Sequence, residues 1–426
     1  MPPIEDHPLR FRLANELHAR PFPTVSVPGT AAYLAIKPEE QAARRDRSAD
    51  LAHLIELLDR HGAPHPQPGA THYSGTIGRH QLKWESHTEF VTYTAICEGL
   101  SKRAFDPAEF EVFPEEWLAR APGKRITSAL IRVEARKEEE ALAEDIADWF
   151  VGESVAVARV LDDAAVIAGD FRIDPAGHQR FLIGVTPGTG QRRVGRVMQR
   201  LCEIETYKSM SMLGFARARD LSPRMGELES RMRTMISDMT GGEKPAEETL
   251  PDLLDISAEL EAMAAQSSFR FGATAAYETI VTQRISVLRE ERFQGRQTFS
   301  EFMMRRYDPA MRTVLSTQER LRAMADRAMR AGELLRTRVD VERSAQNQKL
   351  LESMDKRADL QLRLQKTVEG LSVVAISYYA VSLAGYLLYP LAGPAGMSKE
   401  MLTAVVTVPV VAAVWWMVRR LRREID

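Results

Sequence analysis

Residues 370–423, "GLSVVAISYYAVSLAGYLLYPLAGPAGMSKEMLTAVVTVPVVAAVWWMVRRLRR", decide how the chain is read. No charge occurs from position 370 through 398. Lys399 and Glu400 then sit together, and a second uncharged run covers 401–418. A helix needs about 20 apolar residues to cross the hydrocarbon core of a bilayer. Segments 370–389 and 401–418 each meet that length. Pro390, Gly393, Pro394 and Gly396 place a short turn between them, in a loop over 390–400. The expectation is a two-helix transmembrane hairpin with both ends on one side of the membrane.

The flanks give the side. Arg419, Arg420, Arg422 and Arg423 follow the second span directly and form a basic tail over 419–426; Arg363 and Lys366 precede the first. Positive residues stay cytoplasmic, so both termini are expected there, in a bacterial inner membrane. Tyr389 and the Trp415–Trp416 pair lie near span ends, where amphipathic rings favour the headgroup layer. At the other end, "MPPIEDHPLRFRLANELHARPFP" carries charges and prolines where a signal peptide needs an apolar run.

Upstream of the spans, no proline falls between Pro309 and Pro390, and among the strong helix formers glycine occurs only at 332, 370 and 385. The pattern predicts a long stalk helix over 311–369, a rod of roughly 90 Å at 1.5 Å per residue. Leu321, Met324, Ala328, Ala331 and Leu335 follow 3-4 spacing, as a packing seam does. The seam fades through "DVERSAQNQ" and resumes at Leu350, Leu360, Leu364 and Leu371. Packing against other copies of the chain, or a solvated helix with scattered contacts, both fit. Residues 191–310 read as amphipathic helices. One runs from 194 past Pro223 with a stripe of Met225, Leu228, Met232, Met235 and Met239, expected to fill core. "LLDISAELEAMAAQ" and "AAYETIVTQRISVLREERF" read as two more.

Residues 1–190 differ. "TAAYLAIKP", "RHQLKWESH", "TEFVTYTAICE", "ITSALIRVEAR", "SVAVARVL", "AAVIAGDFRI" and "QRFLIGVT" read as about seven strands, with helices near 38–62 and 137–150. The fold class expected is an α+β cytoplasmic domain on a mixed sheet, antiparallel in its last three strands, followed by stalk helices and the hairpin.

The 426 residues carry a formal charge of −2, which argues against a broad nucleic-acid surface, and two distant cysteines, Cys97 and Cys202, which suggest a reducing compartment. Six of nine histidines fall within 53–87, but their spacing does not converge on a metal. Glu140, Glu144 and Asp148 share a helix face. They could hold a hard divalent cation through oxygen ligands, but more often such a face is solvated; beyond that possible cation no cofactor is expected. "GVTPGTGQRRVG" sits where a phosphate loop would, after a strand and before a helix. It lacks Gly-Lys-Ser/Thr, and Arg193 replaces the third glycine of a dinucleotide fingerprint, so it reads as a turn with exposed arginines. No hydrolase, zincin or nucleophile motif is present, and no enzyme is expected.

The segments "HPLRFRLANELHARPFP", "RRVGRVMQRLCEIETYK" and the closing hairpin together resemble an uncharacterised bacterial family of membrane-anchored proteins with a domain of unknown function. The layout is also similar to the CorA-like magnesium transporter superfamily. That resemblance implies pentamers, a pore lined by the first span, and a Gly-Met-Asn motif meeting the hydrated cation. Here Gly385-Tyr386-Leu387 departs from the motif. Gly396-Met397-Ser398 has serine for asparagine and abuts the second span. No acid or amide lies in either span, whereas intramembrane charge usually marks an ion path. The small residues Ala375, Ala380, Ala384 and Gly385 favour close helix packing. The resulting expectation is a homo-oligomeric membrane-anchored scaffold or sensor, with a divergent divalent-cation channel as the alternative.

Overall fold

A computed structural model describes residues 4–16, 22–39, 45–241, 245–392 and 398–425. Nine strands form one sheet: β1 (Gly29–Lys37), β2 (His72–Ile77), β3 (His80–Ser86), β4 (Val91–Glu98), β5 (Lys124–Ala135), β6 (Ala156–Val160), β7 (Ala165–Gly169), β8 (Gln179–Val185) and β9 (Glu291–Arg292). The helices are α1 (Arg10–Glu16), α2 (Arg47–Arg60), α3 (Glu115–Ala119), α4 (Glu139–Trp149), α5 (Gln191–Gly241), α6 (Ala246–Ser286), α7 (Phe299–Arg306), α8 (Asp308–Ala392) and α9 (Lys399–Ile425). The chain divides into two units, Met1–Glu243 with Pro251–Ala331, and Lys244–Leu250 with Gly332–Asp426.

The first unit is α+β. Its strand order is β2-β3-β4-β1-β5-β8-β7-β6-β9. All pairs are antiparallel except β5 with β8, which makes the sheet mixed. β1 lies at the centre, paired with β4 and β5, and every one of its residues is buried. Its alternation of alanine with Tyr33, Leu34 and Ile36 suits a strand covered on both faces. The sheet has nine strands where seven were expected. β2, "HYSGTI", carries Gly and Ser in its middle, and β9 is two residues long. Neither shows the β-branched or aromatic density that marks a strand in sequence. The last three long strands are antiparallel, as their patterning predicts.

One face of the sheet is sealed by α2, α3, a 3-10 turn (Pro107–Val112) and α4. Their Leu54, Leu57, Phe110, Trp117, Leu142 and Ile146 join Leu34, Trp84, Tyr93, Leu130 and Leu182 in one buried cluster. α2 starts where the Asp46 carboxylate accepts the Ser48 N–H, a helix cap worth about 1 kcal/mol. The other face is covered by α5, which packs on β5 and β8. α5 continues through Pro223. α6 is one helix where two were expected, and it runs antiparallel to α5. Thr274 donates to the Ser211 carbonyl, Arg217 to Ser267, and Arg224 makes a two-pronged pair with Glu259. The helices approach closely at Gly214, where a Cβ would stand 2.1 Å from the Thr274 hydroxyl. Met225, Leu228 and Met232 are buried, as core filler should be.

α8 is a single helix from Asp308. In the first unit its Leu321, Met324, Ala328 and Ala331 are buried; in the second, Leu335 is buried too. From there the pattern changes. Leu350, Leu360, Leu364 and Leu371 are all exposed.

Candidate functional site

Covering helix α5 does not reach the β2 edge of the sheet. On the face that α5 shields elsewhere, His72, Ser74 and Thr76 of β2 lie opposite Glu85, Lys83 and Gln81 of β3. These side chains are polar because nothing apolar caps them. A cleft of about 1350 Å³ opens there, walled by the start of α5 and by residues 22–26. That wall is fixed by contact. Val25 N–H donates to the Gln191 carbonyl, and Pro23 lies so close to α5 that a Cβ on Gly195 would meet its carbonyl oxygen at 1.8 Å. Only glycine admits this approach.

Cations dominate the cleft. Arg79 comes from the β2–β3 turn, Lys83 from β3, and Arg192 and Arg196 from α5; Glu98 is the one carboxylate among the lining residues. The side chains of Arg79 and Arg192 are exposed and have no hydrogen bond or ion pair among the described residues. Arg196 lies over the Phe22 ring at 5.1 Å. Lys83 is held by Gln199 at 2.8 Å and Glu85 at 3.1 Å.

Further under α5 the groove narrows to a polar seam with room for about one water, roughly 20 Å³. Gln199 donates to Glu203, which pairs with Arg284. Thr206 donates its hydroxyl proton to the Cys202 carbonyl, so the Tyr33 hydroxyl is the donor in the 2.5 Å Tyr33–Thr206 bond. Burial pushes the Tyr33 hydroxyl and the Cys202 thiol well up, so neither ionises readily. Deeper still, the buried Glu89 carboxylate accepts from Arg270 and from the Tyr277 hydroxyl at 2.7 Å. This seam binds the sheet to its helices.

The residues singled out from sequence are dispersed. Glu140, Glu144 and Asp148 lie exposed along α4. Among the described residues, no group of three or more His, Cys, Asp or Glu is placed to hold a metal ion. The histidines have separate structural roles. His53 is buried between the Tyr93 hydroxyl at 3.1 Å and the Trp117 carbonyl at 3.0 Å, and His65 bonds Asp59.

Gly396 and Met397 lie outside the described residues. Ser398 accepts the Met401 N–H and caps α9. The membrane flank is ordered as ring-stacked cations: Arg419 over Trp415 at 4.9 Å, Arg420 over Trp416 at 5.6 Å. Arg422 and Arg423 fall in the last turns of α9. The helical stretch Phe299–Pro390 and the stretch Lys399–Arg420 are each long and apolar enough to cross a membrane. Their apolar windows are only 6% and 11% buried.

A family model matches residues 5–425. The chain belongs to the family described as protein of unknown function, DUF3422. No curated protein and no solved structure matches it. The match spans both units, so the cleft and the apolar helices lie within one family unit.

Sequence reasoning passed over the cleft because it passed over β2. The signal was there: polar His72, Ser74 and Thr76 alternate with Tyr73 and Ile77. Arg192 and Arg193 of "GVTPGTGQRRVG" read as exposed from the sequence, but a turn reading gives them no partner surface and does not include Arg196.

Proposed function

We propose that this DUF3422 protein is anchored in the bacterial inner membrane by the distal part of α8 and by α9, with both termini cytoplasmic. It would work as a homo-oligomeric scaffold or sensor and not as an enzyme. One observation carries the reading: two long apolar helical windows leave about nine-tenths of their residues unburied by the rest of the chain. Tyr378, Leu383, Tyr386, Val408 and Trp416 are among those exposed. Apolar side chains at this density favour lipid over water by about 25 cal/mol per Å². Tryptophan–arginine stacks at the end of α9 fit a headgroup layer on the cytoplasmic side. The exposed leucines of α8 at 350, 360, 364 and 371 are a candidate surface for self-association.

Alkaline carbonate washing of membranes tests the anchor. The protein should stay in the pellet, and reporter fusions at each terminus should report cytoplasm. Release into the wash would end this reading. A second reading, a divergent CorA-like divalent-cation channel, is favoured by the continuity of α8, which joins stalk and first span in one helix. Purified protein in liposomes would then pass divalent cations; absence of flux would remove it.

A further inference from the structure

We infer that the cleft at the β2 edge binds a soluble small molecule carrying two or more phosphate groups. The inference rests on the first unit alone and holds whether or not the apolar helices enter a bilayer. Three separate elements bring cations to one open space: Arg79 on the hairpin turn, Lys83 on β3, and Arg192 and Arg196 on α5. The opposing charge is small. Glu98 lines the cleft, and Glu85 offsets Lys83. Protein surfaces normally satisfy arginines with carboxylates, and this chain does so widely: Arg45 with Asp50, Arg180 with Asp170, Arg224 with Glu259. Arg79 and Arg192 have no such partner among the described residues; other exposed arginines, Arg103, Arg306 and Arg312 among them, lack one too, but Arg79 and Arg192 share a cleft.

Spacing selects the ligand. Arg79 and Lys83 are four residues apart across the turn and strand, about 13 Å at the strand rise. Arg192 and Arg196 are one helical turn apart, about 6 Å. A lone phosphate reaches one neighbouring pair of these cations, whereas a chain of phosphates reaches several. Guanidinium groups are the side chains suited to two-pronged phosphate contacts. Ser74, His72 and Gln81 add hydrogen-bonding groups on the cleft floor. Such a floor suits a hydrated polyanion; Phe22, Pro23, Pro66 and Ile96 also line the cleft, so titration against both separates a soluble polyphosphate from an intact anionic lipid. The "GVTPGTG" loop takes no part; none of its residues lines the cleft.

The test is isothermal titration of the full-length protein in neutral detergent at low salt. The probes are sodium tripolyphosphate, ATP, orthophosphate and intact cardiolipin dispersed in the same detergent. Tripolyphosphate and ATP should bind, with orthophosphate at least tenfold weaker and affinity falling as salt rises. Arg192→Glu/Arg196→Glu and, on a different element, Arg79→Glu should each weaken tripolyphosphate at least tenfold. Arg305→Glu, away from the cleft, should not change it. The inference fails if tripolyphosphate gives no binding, if orthophosphate binds equally well, or if only the intact lipid binds. It also fails if both sets of cleft variants, folded as judged by circular dichroism, bind like the wild type.

Discussion

Replacing Gly195 with alanine should loosen the wall of the cleft, and the structure gives the size of the effect. The added Cβ would stand 1.8 Å from the Pro23 carbonyl oxygen. An ordinary carbon–oxygen contact is about 3.3 Å, so the 22–26 segment must retreat by roughly 1.5 Å. Overpacking of this kind costs about 1–3 kcal/mol. The 3.3 Å bond from Val25 N–H to the Gln191 carbonyl stretches past its limit, a further loss of about 1 kcal/mol. Alanine in a helix returns about 1 kcal/mol relative to glycine. The net is local destabilisation of about 2 kcal/mol, which makes the Val25 amide exchange its hydrogen roughly 30-fold faster. Gly226 is the control. It lies on the same helix with nothing within 4 Å of its would-be Cβ, so Gly226→Ala should stabilise by about 0.5–1 kcal/mol. Hydrogen–deuterium exchange of the peptide containing Val25 reads both. Exchange in Gly195→Ala within threefold of wild type would refute the close contact on which the cleft wall depends.

Arg270→Met should destabilise the first unit by about 3 kcal/mol, because it leaves the buried Glu89 carboxylate without its cation. In Arg270→Met/Glu89→Gln no unpaired charge stays buried, so the loss should be smaller, about 1–2 kcal/mol; a loss equal to that of Arg270→Met alone in thermal melts would show that charge burial is not the cause. The His53 imidazole is held below its usual value by burial, with Nε2–H donating to the Trp117 carbonyl and Nδ1 accepting from the Tyr93 hydroxyl. The unfolded chain therefore takes up a proton at higher pH than the folded one. Stability from His53 is complete above about pH 6.5 and is lost as pH falls. Buried Glu290 and Glu109, held above their usual range by desolvation, pull the other way at lower pH. The measurement is therefore the difference between wild type and His53→Asn, melted from pH 7.5 to 5.5. The wild type should lose more stability on acidification; parallel curves would contradict the assignment.

Most of the architecture could be read from residue patterns, and the omissions share a physical cause. Elements whose own residues carry a strong period were visible: β4 and β5, the seam from Leu321 to Leu335, and the two apolar runs. Elements whose stability comes from neighbours were not. β2 is held by its ladder to β3, and β9 by two pairings with β6, across more than a hundred residues of chain. The break expected between two helices in α6 is absent because α5 supplies a continuous partner along its length. The cleft was hidden for a related reason. Its cations lie on two segments more than a hundred residues apart, and only sheet order brings β3 alongside α5. In contrast, the acidic face of α4 is a strong local pattern, and Glu140, Glu144 and Asp148 lie exposed along it.

The central place of β1 has a consequence for how the chain matures on the ribosome. One of the first elements made, it needs two later strands, and β5 does not begin until Lys124. At roughly 5–20 residues per second, its second edge waits on the order of 5–20 s for a mate. During that interval "TAAYLAI" is an open apolar template, the kind of segment nascent-chain chaperones shield. The protein should be unusually sensitive to their depletion, and slowing translation between 40 and 120 should lengthen that exposure.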